Sequence, residues 1–188
     1  MQVLGVSGSL RQASINSAML RASARLAPSP MRLTVYAGLG GLPLFDPDET
    51  DRPGEAVRHW FAAVEQANAV VYASSEYAHG LTDTIKNALD WLLGFEPFAG
   101  KPVAVVNTSA RAMHADAALR KVLSTMAARI VGSASVTLPL LGAHLDEDGM
   151  VASPAVSALI VALLRALQAG IDPPADPLFS HTLAPDLP

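Results

Sequence analysis

The chain of 188 residues is 51% apolar and 16% charged, which suits one domain with a full hydrophobic core and excludes a disordered polymer. Its net charge of −4 offers no basic face to a nucleic acid. The lack of cysteine excludes disulfides, thiolate nucleophiles, thiolate zinc sites and cysteine-held iron–sulfur clusters.

In chain order, residues 3–7 form a short apolar run ending in Ser7, with the look of a buried parallel strand. From Ser14 the period changes: Ile15, Met19, Ala22 and Leu26 share a helical face, and Pro28 follows the stop. Residues 32–36 alternate like a strand, and a Gly- and Pro-rich loop covers 37–52. Pro53 is placed to open a helix with Val57, Trp60, Phe61 and Val64 as its core stripe. Residues 69–74 read as the third strand, followed by a polar loop and a helix packed through Ile85, Ala88, Leu89 and Leu92. Residues 103–107 are a fourth strand, and Asp116 begins a helix carrying Leu119, Val122, Leu123 and Met126. Residues 133–138 are expected as the fifth strand, and Pro154 as the start of a last helix packed through Val156, Leu159, Ile160, Leu163 and Leu167.

Five strands alternating with five helices predict an α/β fold: a doubly wound five-stranded parallel sheet of flavodoxin-like order 2-1-3-4-5, with helices on both faces. The domain is expected to span 1–170, with a Pro-rich tail over 171–188. No apolar run reaches the roughly 18 to 20 residues that span a bilayer, and the chain starts directly on a strand without a basic leader. A cytoplasmic protein without a membrane partner is the expectation. The histidines are scattered and form no HExxH pattern, so no metal is expected either.

In such sheets ligands bind beyond the carboxyl ends of the strands, where strand order reverses. The loops after strands one, three and four are therefore the places to look. In the first, Gly8 permits a tight turn or a close backbone approach, Ser9, Ser14 and Asn16 are short polar residues, and Arg11 is a fixed charge suited to phosphate. Ordinary capping by Ser14 is the competing reading, and it leaves Ser9 and Arg11 without a task. The dinucleotide fingerprint GxGxxG and the P-loop ending are absent, and Gly5-Val6-Ser7-Gly8-Ser9 misses the nucleophile elbow GxSxG at its last position.

Gly8-Ser9-Leu10-Arg11 followed by Ser14 and Asn16 resembles the GSxRxxSxN signature of the NADPH-dependent FMN reductase family. The resemblance implies an FMN phosphate held by the side chains of Ser9, Arg11, Ser14 and Asn16, with Leu10 giving its amide. A flavodoxin loop is Thr/Ser-rich and lacks the arginine, so the resemblance favours reductases. Ser75-Glu76-Tyr77-Ala78-His79-Gly80 with Ile85-Lys86-Asn87-Ala88-Leu89-Asp90-Trp91 is similar to the family's PEYN…LKNALDW segment. It implies that Ser75, Glu76, Tyr77, Ala78, His79 and Gly80 lie along the flavin ring. Ser75 stands where the family has proline and Ala78 where it has asparagine, and His79 is the candidate polar group near the ring. The loop after strand four packs on the flavin in the family, which brings in Ser109 and Arg111 as further contacts. Arg111 reads equally as a solvated loop charge. Leu42-Pro43-Leu44-Phe45-Asp46 also has a family look, and shapes the pocket or a subunit contact.

The resemblance implies an oxidoreductase in which hydride passes from NADPH or NADH to FMN, and from FMN to a small-molecule electron acceptor such as a quinone, azo compound, metal oxyanion or free flavin. No protein acid–base triad is needed, because the cofactor carries the chemistry. The resemblance further implies a homodimer or homotetramer. A flavodoxin-type electron carrier and a non-catalytic regulatory protein of the same fold are the competing readings.

Overall fold

The computed structural model describes residues 1–11, 13–140 and 142–171. Its centre is a sheet of five parallel strands in the order β2-β1-β3-β4-β5: β1 (Gln2–Ser7), β2 (Arg32–Val35), β3 (Ala69–Ala73), β4 (Pro102–Val106) and β5 (Arg129–Ile130). β1 is an interior strand, with Val3 opposite Ala69 on one side and Leu33 on the other. The expected order is the one observed.

Alternation along the strands builds two cores, one per face. Ala69, Val71, Ala73, Ala104 and Val106 point to the face covered by α1 (Ile15–Leu26), α5 (Glu147–Ala152) and α6 (Pro154–Ile171). Val70, Tyr72, Val103 and Val105 point to the face covered by α2 (Glu55–Gln66), α3 (Asp83–Asp90) and α4 (Met113–Thr125). Trp60, Trp91 and Phe98 fill the second core, while Met19, Leu20, Met150 and Ile160 fill the first.

Five expectations need correction. The fifth strand is not 133–138: β5 is Arg129–Ile130, and Gly132–Ala134 then form a single 3-10 turn. The reason lies in Ser135, whose hydroxyl accepts a hydrogen bond from the Val105 amide at 3.1 Å, the task a strand carbonyl would perform. The chain rejoins the sheet only at Thr137, as a bridge to Asn107. The region before Pro154 holds a sixth helix, α5, capped by Asp146, whose carboxylate accepts from the Gly149 amide at 2.8 Å. Helix α4 starts at Met113 rather than Asp116, and α2 at Glu55, two residues past Pro53.

The fifth correction concerns α6. Its 18 residues are long and apolar enough to cross a membrane by length and composition, contrary to the expectation that no such run exists. Its inward stripe of Ile160, Leu163, Leu164 and Leu167 is buried in the first core. Near its end Gly170 meets Val131 so closely that a Cβ there would sit 2.4 Å from the valine Cγ1, so glycine is required at this contact. The tail expected from 171 lies, beyond Ile171, outside the described residues.

Candidate functional site

The loop after β1 is tied down at its first residue. The Gly8 amide donates to the Ala73 carbonyl at 2.8 Å, and a Cβ at Gly8 would lie 2.9 Å from both Ile85 Cδ1 and Thr82 Oγ1. Glycine is therefore needed for close approach between the first and second loops. Ser7 spends its hydroxyl on Ser17 at 2.8 Å, which removes it as a nucleophile candidate. Ser14 caps α1 by accepting from the Ser17 amide at 3.4 Å, and Ser9 accepts from the Arg11 amide at 3.4 Å.

The capping and phosphate readings of this loop are compatible. A hydroxyl has one donor besides its acceptor sites. Neither Ser9 nor Ser14 donates a hydrogen bond among the described residues, so each hydroxyl proton is unspent there. Arg11 and Leu10 are exposed, and Leu10 leans toward Gly40 of the 37–52 loop.

Asn16 has a different place from its neighbours. It is 3% exposed, its Nδ2 donates to the Ser75 hydroxyl at 2.9 Å, and its Oδ1 accepts from the Thr108 hydroxyl at 2.6 Å. One side chain thus joins the loops after β1, β3 and β4, the three that the topology singles out. Around this junction lies a cleft of about 280 Å³ bounded by Ile15, Asn16, Ser74, Ser75, Glu76, Thr108, Ser109, Arg111 and Ala112. That volume is close to the lower end of small-ligand sites.

The second loop turns sharply beyond Glu76. The Tyr77 and Gly80 amides each donate to the other's carbonyl, at 3.3 and 2.9 Å, and Ala78 and His79 between them have φ of 49° and 59°. Two successive positive φ values mark a type I′ turn, which favours Asn and Gly at its centre. The Glu76 carboxylate accepts from the Ala115 amide at 3.0 Å and faces His79 Nδ1 at 3.1 Å. The Ala115 amide first, then His79 and the backbone and charge of His114, hold the Glu76 carboxyl below its ordinary pKa. The third loop is pinned by Asn107, whose Oδ1 accepts from the Ser109 amide at 2.9 Å and whose Nδ2 donates to the Ala112 carbonyl at 3.0 Å.

The sequence similarity now has a structure beneath it. A profile of the NADPH-dependent FMN reductase family matches residues 1–140. The NAD(P)H-dependent FMN reductase of Pseudomonas aeruginosa is 32% identical over 89% of this chain and 93% of its own length. The chain belongs to the NADPH-dependent FMN reductase family. Members of that family use FMN with NAD(P)H as electron donor, so this is an FMN-dependent oxidoreductase. The quinone reductase of Escherichia coli K12 is 34% identical over 58% of this chain and 60% of that protein. The flavoenzyme NAD(P)H:acceptor oxidoreductase of Paracoccus denitrificans superposes with a TM-score of 0.70 over 89% of this chain and 97% of that one, at 24% identity, which supports the fold.

Within this FMN reductase, Asn16, Ser75, Glu76, Ser109 and Arg111 line the cleft together. Ser9, Leu10, Arg11 and Ser14 lie on the adjoining first loop, and Tyr77, Ala78, His79 and Gly80 form the turn that leaves the cleft after Glu76. Thr108, Ala112, Ser74 and Ile15 also line it and are missing from the sequence expectation. The position of Thr108 just past the carboxyl end of β4 was the available signal. The LKNALDW-like helix is explained by structure. Asn87 Nδ2 and Trp91 Nε1 both donate to the Pro43 carbonyl, at 2.8 and 2.9 Å, and the Phe45 amide donates to Asn87 Oδ1 at 2.8 Å. Lys86 pairs with Asp90 at 2.5 Å on the surface.

Proposed function

We propose that this reductase delivers electrons from NADPH or NADH to a small quinone-like acceptor, the two substrates using one open cleft in turn. The observation that carries the reading is the Asn16 junction, which brings the three loops at the carboxyl ends of β1, β3 and β4 into one cleft. The residues fit FMN: a glycine-dependent close approach at Gly8, two hydroxyls with protons to donate, and a guanidinium on the same loop. In this reading Ser9, Arg11, Ser14 and the Leu10 amide hold the phosphate. Ser75, Glu76, the Tyr77–Gly80 turn, Ser109 and Arg111 hold the ring. Asn16 acts from behind, by positioning Ser75 and Thr108. When bound, FMN supplies the hydride chemistry at its N5, and the chain's own residues orient it and leave one face open.

The reading extends to a homodimer or homotetramer in the cytoplasm. Support for association comes from exposed apolar side chains: Leu10 at 63%, Leu44 at 84%, Tyr77 at 56% and Met113 at 69% exposure. A second copy placed against them would take these apolar groups out of water. No basic face and no membrane partner enter the reading; the apolar helix α6 is accounted for by its inward stripe.

The test is spectroscopic. The purified protein, supplied with FMN, should show a flavin spectrum that NADPH bleaches anaerobically and that a quinone then restores. Protein that binds no FMN overturns the reading. A bound flavin that neither NADPH nor NADH bleaches overturns the reductase assignment while leaving the FMN site intact.

A further inference from the structure

Glu76, His79 and His114 come from two separate segments, and the structure gathers them so that one ligand atom of each lies within 4.8 Å of the others. The two imidazoles stand edge to face, with ring centroids 4.7 Å apart and an interplanar angle of 70°. Glu76 presents Oε1 toward His79 Nδ1 at 3.1 Å, while its Oε2 is fastened by the Ala115 amide at 3.0 Å. The carboxylate is thus oriented from behind, as metal-ligating carboxylates generally are. Both histidines are exposed, so their ring nitrogens are reachable from solvent. An imidazole nitrogen offers a metal its lone pair.

We propose that Glu76, His79 and His114 form a binding site for a borderline divalent transition metal, of the zinc, cobalt or nickel kind, at the edge of the cleft. Two nitrogens and one carboxylate oxygen suit these ions, whereas magnesium and calcium take oxygen ligands. Ligand atoms about 2.1 Å from one tetrahedral ion lie about 3.4 Å apart, so a gap at the 4.8 Å limit must close by about 1.4 Å. An exposed imidazole makes that adjustment by rotating about its side-chain torsions, with Glu76 held still by Ala115. Because Glu76 also lines the cleft, a bound ion would tie the loop after β3 to the start of α4 beside the flavin reading's ring site. The sequence conceals this site because His79 and His114 are far apart along the chain and share no ligand spacing.

The site needs no flavin, so its test is independent of the reductase reading. Untagged protein, stripped with EDTA and desalted, is titrated calorimetrically with ZnCl2, with and without FMN, alongside His79→Ala and His114→Ala. The expected result is one ion per chain, no heat with MgCl2, and at least tenfold weaker zinc binding in each variant. Zinc should also raise the thermal midpoint of the parent chain and leave that of His114→Ala unchanged. Absence of zinc binding overturns the proposal. So does zinc binding of equal strength in both variants, which would place the ion elsewhere.

Discussion

The Thr108 hydroxyl donates to Asn16 Oδ1 at 2.6 Å, fastening the end of β4 to the first turn of α1 across 92 positions of sequence. With the Ser75 contact on the other side of the same amide, this side chain sets the mutual position of three loops. Asn16→Asp tests what it does for the cofactor. Both hydroxyls can donate to the new carboxylate and the α1 N-terminus favours its charge, so we expect a stability loss under about 2 kcal/mol. A negative charge beside the anion cradle should nonetheless raise the Kd for FMN roughly ten- to a hundredfold, or about 1.4 to 2.8 kcal/mol. Calorimetric FMN titration and urea unfolding, run together, check both; an unchanged Kd would place the phosphate away from Asn16.

Arg11 is exposed, so Arg11→Ala should leave stability within about 0.5 kcal/mol of the parent. If the guanidinium meets the phosphate, FMN affinity falls about tenfold or more, the scale of a charge-assisted hydrogen bond. The salt dependence of FMN binding should shrink in the variant as well. Equal affinity at low and high salt in both proteins would reduce Arg11 to a loop charge.

Ala78 occupies a left-handed backbone conformation at φ 49° that costs a Cβ-bearing residue about 1 kcal/mol or more. Ala78→Gly relieves it at some cost in unfolded-chain entropy, for a net gain of about 0.5 to 1 kcal/mol. Thermal unfolding should show the midpoint rising by a few degrees. A lower midpoint would mean that the alanine methyl makes a contact worth more than the strain.

Tyr72 is fully buried in β3, and its hydroxyl has no hydrogen-bond partner among the described residues. Burial pushes its phenol well above the ordinary tyrosine range, so the group stays neutral. Removing an unsatisfied buried hydroxyl without changing the ring should be stabilising. We expect Tyr72→Phe to gain about 1 kcal/mol in urea unfolding; a loss of that size would reveal a partner for the hydroxyl.

Most of the fold was legible because apolar residues recur at helical or strand periods wherever an element packs on the sheet. β5 was not, since a strand of Arg129–Ile130 is too short to show a period, and Ser135 replaces a backbone acceptor with a side chain. The alternating stretch at 133–138 reads as strand from its residues, yet Ala134 is buried in a turn facing α6. In the candidate site, Ser9, Arg11 and Ser14 stand out in the sequence because they sit together in one short segment. The Asn16–Ser75–Thr108 junction was hidden by separations of 59 and 92 positions, and no local pattern encodes such pairs. The turn at Ala78 and His79 was equally hidden, because neither residue carries the usual signal of a positive φ.

The grip of Asn87 and Trp91 on the Pro43 carbonyl has a bearing on association. Two side-chain donors and the Phe45 amide bond fix the backbone on either side of Leu44, which is left 84% exposed. A loop tip held this way is already in one conformation before any other surface meets it. Covering Leu44 would therefore forfeit little backbone freedom, and the gain from removing its side chain from water would go almost undiminished into the affinity of the contact.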